Sequence, residues 1–223
     1  MRNAKTAIAA TLAAMLAAGP SNVAAHPHVF IDTGVEIIFN DQGQLTHVKV
    51  TWLYDDLYSL LLAEDYKVDA DSDGELTDAE REELTGFDAD WVEGYAGDLA
   101  AVIDGQALIL SRPIDPTADM IEGRLISTHL REVSGTPLLA GDTVSIKAFD
   151  PSYYTAYDLT LPVKISGRDD CQISRVEPDI EGQLAQMQAQ LLTLDANADL
   201  AENDIPLIGG EFATDIRITC PAL

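Results

Sequence analysis

The stretch DADSDGELTDAE, residues 69–80, sets carboxylates at the spacing of a calcium loop. It meets the pattern D-x-[DN]-x-[DN]-G-x5-E at every defined position. Asp69, Asp71 and Asp73 offer oxygens at positions 1, 3 and 5, and Gly74 allows the sharp turn at position 6. Glu75 would add its backbone carbonyl, Leu76 is the apolar residue of the eighth position, and Glu80 would close the shell with two oxygens. Hard oxygen ligands on a flexible loop suit Ca²⁺ better than a transition metal. Thr77 and Glu80 also have capping-box spacing, so a solvated acidic turn that caps a helix is the competing reading. DANADLAENDIP, residues 195–206, begins the same way with Asp195, Asn197 and Asp199. It then has Leu200 where glycine belongs and Pro206 where glutamate belongs, and whether it binds a second calcium stays open.

A second chemistry sits near the start. Of the four histidines, His26 and His28 stand two apart in HPHVFID. The preceding residues read as a secretory signal: basic MRNAK, apolar TAIAATLAAMLAAG, then PSNVAA with Val23 and Ala25 at the −3 and −1 positions. Cleavage after Ala25 would make His26 the new N-terminus, with an α-amine and an imidazole as ligands. Pro27 has no N–H, which blocks the amine-x-x-His chelate at its usual geometry. A histidine brace, or a joint site of His26 and His28 with His129 or His47, remains. Imidazole serves zinc, nickel, cobalt and copper alike, so spacing does not select the metal. Solvated histidines on a frayed terminus are the plain alternative. FDPSYYTAYDL adds a turn at Asp150 followed by Tyr153, Tyr154 and Tyr157, which could rim a pocket or simply pack in the core.

Charge and cysteines narrow the class. The net charge is −25, and losing Arg2 and Lys5 with the signal brings it to −27. Nucleic-acid binding needs a basic patch and is excluded on that ground. Cations fit better as partners. Removing 25 of 223 residues leaves 198, read as a single periplasmic domain. No second long apolar run follows the signal, so stable membrane insertion is not expected. Cys171 and Cys220 form an even pair in an oxidising compartment and read as a disulfide closing a loop of about 50 residues. A thiolate metal site is the alternative. Nucleophile elbow, P-loop, dinucleotide fingerprint and H-E-x-x-H are all absent, and we expect no enzyme.

The elements that must position these residues follow from periodicity. Val29, Ile31, Val35, Ile37 and Phe39 alternate as a half-buried strand, and LTHVKVTWLY is a second, with His47 on its outer face. DDLYSLLLAEDYKV reads as a helix capped by Asp55 or Asp56. A further helix starts at Thr77 and could run past Gly86 through DADWVEGYAGDL. AAVIDGQALIL holds the hairpin signal Asp104-Gly105. GRLISTHLREV and TDIRITC read as strands, DTVSIKAFD and YDLTLPVKIS as paired strands, and IEGQLAQMQAQLLTL as a late helix near 180–194. The fold class is α+β: an antiparallel sheet or sandwich with a helical, EF-hand-like insertion near 56–98 and a late helix.

Signal, HPHVFID, DADSDGELTDAE, DPSYY and the terminal ITCPA together make the chain resemble a family of uncharacterised bacterial periplasmic proteins. Its members are labelled the periplasmic component of an ABC-type transport system and linked with nickel, cobalt or zinc permeases. The resemblance implies a periplasmic, transition-metal-binding accessory protein of a metal transport system, with an inner-membrane permease as partner. The calcium loop would be structural. Two readings compete: a calcium-stabilised envelope or adhesion module without transition metal, and a histidine-brace copper oxygenase.

Overall fold

Two β-sheets face a common apolar core in the computed structural model, which describes residues 27–152, 154–183 and 209–222. The fold class is α+β with mainly antiparallel sheets. The expected signal segment 1–25, His26, Tyr153, most of the expected late helix and the 195–206 stretch lie outside the described residues. Of the late helix, residues 180–183 are helical.

The first sheet is built on β1 (Val29–Phe39) and β2 (Leu45–Tyr54), paired antiparallel, with β6 (Arg124–Glu132) and β5 (Ile114–Ile121) beyond β2. The expected alternation holds: Val29, Ile31, Val35, Ile37 and Phe39 are buried on β1, and Val48, Val50, Trp52 and Tyr54 on β2. On its other edge β1 pairs in parallel, first with β8 (Thr155–Asp158) and then with β9 (Val163–Ser166). The chain crosses close to β1 between these pairings. A Cβ on Gly34 would stand 3.0 Å from Leu161 Cβ and 3.3 Å from the Pro162 carbonyl oxygen, so only glycine fits there without a shift.

The second sheet runs β10 (Gln172–Val176), β11 (Asp215–Thr219), β7 (Thr143–Ala148), β3 (Leu99–Ile103) and β4 (Gln106–Ala107). Asp104 and Gly105, both at positive φ, close the β3–β4 hairpin as expected. DTVSIKAFD and YDLTLPVKIS do not pair with each other: β7 joins this sheet, while β8 and β9 join β1. Cys171 and Cys220 are bonded, tying the start of β10 to the end of β11.

Helix α1 (Asp56–Tyr66) is capped by Asp55, whose carboxylate accepts from Tyr58 N and from Phe30 N on β1. It turns Ser59 and Ala63 inward and leaves Leu57, Leu60 and Leu61 exposed. Helix α2 (Asp78–Leu84) opens on the Thr77–Glu80 capping box. It does not continue past Gly86. Thr85 leaves the helix with ψ 117, and Gly86, Gly94 and Gly97 take positive φ. Residues 85–98 instead form turns that bury Trp91 against Trp52 and His129. Burying an indole in the core outweighs the helical propensity of an exposed acidic segment.

Candidate functional site

The acidic loop brings three of its expected ligands together. One carboxylate oxygen from each of Asp69, Asp71 and Asp73 lies within 4.8 Å of the others. Calcium holds oxygens at about 2.3–2.6 Å, so two ligands on opposite sides of it are separated by roughly 5 Å. The triad therefore fits that ion by size and by hardness. Gly74 takes φ +78, and its N–H donates to Asp69 Oδ1, which folds the turn back onto the first ligand. Leu76 is buried in the core below.

Glu80 is engaged differently. One oxygen accepts from Asp69 N at 2.8 Å, and the other from Thr77 N and Oγ1. The Thr77 hydrogen bonds hold its carboxyl below the usual range. Glu80 thus ties the two ends of the loop together and stands outside the carboxylate triad. Glu75 contributes an exposed side chain, and its N–H donates to Asp73 Oδ1. The loop's neighbour is the β5–β6 hairpin: Gly123 N donates to the Gly74 carbonyl, and Arg81 of α2 pairs with Asp119 of β5.

The second site lies where β1 begins. His28 N donates to the Tyr154 carbonyl at 2.8 Å, and the two rings meet at a 41° tilt with centroids 4.9 Å apart. Asp150 builds the loop that carries Tyr154. Its Oδ1 accepts from Ser152 N and Oγ, and its Oδ2 from Tyr154 N and Thr155 N. Partial burial works to raise the Asp150 carboxyl, but these four donors outweigh it and hold it below its ordinary value. A cavity of about 490 Å³ adjoins this corner, lined among others by Asp32, Asp150, Tyr157, Glu177 and Thr214. Asp32 there pairs with Arg124 at 2.7 Å and accepts from Thr160.

His47 and His129 are not brought to His28. His47 faces Ile38, ten residues along β1, on the order of 30 Å away at strand rise. His129 faces Val50, itself opposite Val35, roughly 20 Å along. It is 2% exposed and packs edge-on against Trp52 and Trp91. Burial and the neighbouring Arg131 depress its pKa to about 4, so it is neutral at physiological pH. The sheet register therefore keeps His47 and His129 from sharing a metal with His28.

Sequence reasoning missed a buried polar layer. Asp88 accepts from Tyr54 and Ser127, and Asp98 accepts from Tyr95 and Tyr157. Desolvation raises both carboxyls. The signal was present in RLISTHLRE, whose alternation puts Ser127, His129 and Arg131 on the same inward face as Leu125.

No curated protein matches the sequence significantly. A family model described as a protein of unknown function, DUF1007, matches residues 11–220. The match spans nearly the whole chain, and the protein belongs to the DUF1007 family.

Proposed function

We propose that this is a periplasmic transition-metal-binding accessory protein of a metal transport system, stabilised by a structural calcium ion. The observation that carries the reading is the meeting of His28 with Tyr154. It joins His28 of the HPH to Tyr154 of the DPSYY loop, two segments far apart in sequence, at a corner beside a cavity of about 490 Å³. His26 precedes His28 by two residues, with Pro27 between them. Cleavage after Ala25 would place its amine and imidazole at this corner. The metal would be zinc, nickel, cobalt or copper, held by His26 and His28, with Tyr154 and the Asp150 loop fixing the His28 backbone. An inner-membrane metal permease would be the partner.

Asp69, Asp71 and Asp73 would hold the calcium. The ion would supply positive charge to a loop that otherwise crowds carboxylates, and it would lock α1, α2 and the β5–β6 hairpin together through Gly74 and Gly123. That triad also favours a second reading, in which calcium alone is bound and the chain is an envelope or adhesion module. The copper oxygenase reading loses support, because neither His47 nor His129 is within reach as the distant imidazole of a brace.

Metal analysis of the protein isolated from its own periplasm separates the first two readings. The proposal expects a transition metal at close to one ion per chain alongside calcium. Calcium alone would favour the envelope module.

A further inference from the structure

The described arginines divide into two groups. Arg81, Arg124, Arg168, Arg175 and Arg217 each pair with an aspartate or glutamate. Arg112 and Arg131 have no carboxylate partner among the described residues, and both line the same groove of about 260 Å³. In a chain with 38 acidic residues against 13 lysines and arginines, no aspartate or glutamate lines this groove.

Arg131 is 3% exposed. Its Nε donates to the Ser111 carbonyl, one terminal nitrogen to Ala96 O at 3.0 Å and the other to Leu110 O at 3.5 Å. The guanidinium also lies 4.7 Å from the centroid of the Trp91 ring. These contacts use three of its five N–H groups and supply no formal negative charge. Burial lowers its pKa to about 10, which still leaves it charged at neutral pH. A buried unpaired cation is costly, and a bound anion removes that cost. Arg112 stands exposed at the rim, donating to the Trp91 carbonyl. Trp91, Leu108 and Ile109 supply an apolar part of the wall, beside Tyr95 and Ser111.

We propose that this groove binds a small organic monocarboxylate, its carboxylate between Arg131 and Arg112 and its apolar body against Trp91, Leu108 and Ile109. The site is separate from both metal sites and does not depend on them.

The test is tryptophan fluorescence of the mature protein titrated with hexanoate, with 1-hexanol and inorganic phosphate as controls. Trp91 lies in the wall and Trp52 packs next to it, so occupancy should alter the signal. Saturable binding of hexanoate, with 1-hexanol and phosphate at least tenfold weaker, is expected. Arg112→Gln, at the exposed rim, should fold normally and weaken hexanoate by roughly tenfold, the effect of one charged hydrogen bond. Arg131→Gln should abolish binding in whatever fraction folds, as followed by circular dichroism. Hexanoate binding no better than 1-hexanol, phosphate binding equally well, or an unchanged affinity in Arg112→Gln would each overturn the proposal.

Discussion

The His28 ring lies 4.9 Å from the Tyr154 ring, and the His28 amide donates to the Tyr154 carbonyl. The pairing depends on the parallel register of β1 with β8, in which Val29 sits opposite Thr155. It also depends on Asp150, which accepts four hydrogen bonds from Ser152, Tyr154 and Thr155 at the entry to β8.

Asp150→Ala should therefore loosen the corner. Three backbone donors and one hydroxyl lose an ionised acceptor, and charged hydrogen bonds are worth about 1.5–3 kcal/mol each before compensation by water. Because the loop is largely exposed, we expect a net loss near 1–2 kcal/mol in denaturant unfolding. The carboxyl is held below its ordinary pKa, so its contribution is present above the unfolded pKa and is lost as pH falls through the folded one. The difference between wild type and Asp150→Ala should shrink in acid. An undiminished difference at pH 2 would show that the loop is held by packing alone.

The acidic loop of residues 69–80 separates two kinds of acid. Asp71 is exposed and belongs to the triad, so Asp71→Ala should remove stabilisation by calcium and leave stability in EDTA unchanged or slightly raised. Saturation at 100 times the dissociation constant is worth about 2.7 kcal/mol. Glu80 closes the loop and completes the capping box of α2, so Glu80→Ala should lose stability even in EDTA. Melting curves with and without calcium decide this. Equal losses for Asp71→Ala in both conditions would make the loop a capped turn and no ion site.

His129 should act as an acid-sensitive element of the core. Its folded pKa, about 4, lies below the ordinary value of 6.5. The neutral ring thus contributes stability above pH ~6.5 that is lost as pH falls toward 4, on the order of 3 kcal/mol across the window. His129→Phe keeps the edge-on packing with Trp52 and Trp91 and removes the titration. Its stability should fall less than that of wild type between pH 7 and 4.5. Parallel pH profiles would place the acid sensitivity elsewhere.

Reducing the Cys171–Cys220 bond should cost about 4 kcal/mol, because it closes a loop of 49 residues. The serine double variant should lose a similar free energy in denaturant unfolding and melt at a lower temperature. An unchanged melting temperature would mean that β10 and β11 are held by their ladder alone.

Much of this arrangement was legible in the residues. Alternation in HVFIDTGVEIIF and LTHVKVTWLY located β1 and β2, Asp55 and Thr77 marked both helix starts, and Asp104-Gly105 marked its hairpin. Two strands escaped for local reasons. β5 contains Pro116 and a register shift between Ile114 and Thr117, tolerated only because it is an edge strand. β10 is an edge strand with every residue exposed, so no face alternates. The meeting of His28 with Tyr154 was not legible, because it rests on a parallel pairing between distant segments. Nor was the fate of His129, whose burial needed Trp91 to be pulled inward from a segment that reads as helix.

The central claim is that the matured N-terminus holds a transition metal beside Tyr154. The most direct measurement is a calorimetric titration of zinc and nickel, then cobalt and copper, into two forms of the protein at pH 7.5 and pH 5.5. One form begins at His26, and the other carries one extra residue before it. The account predicts binding by the first form, weakened tenfold or more in the second, because extension converts the ligating amine to an amide; outer-shell changes alone cost 10–100-fold. Both should lose affinity at pH 5.5, because nitrogen ligands bind a metal only when deprotonated. Failure of all four metals to bind either form, or binding that persists unchanged at pH 5.5 and in a His26→Ala, His28→Ala double variant, would contradict it.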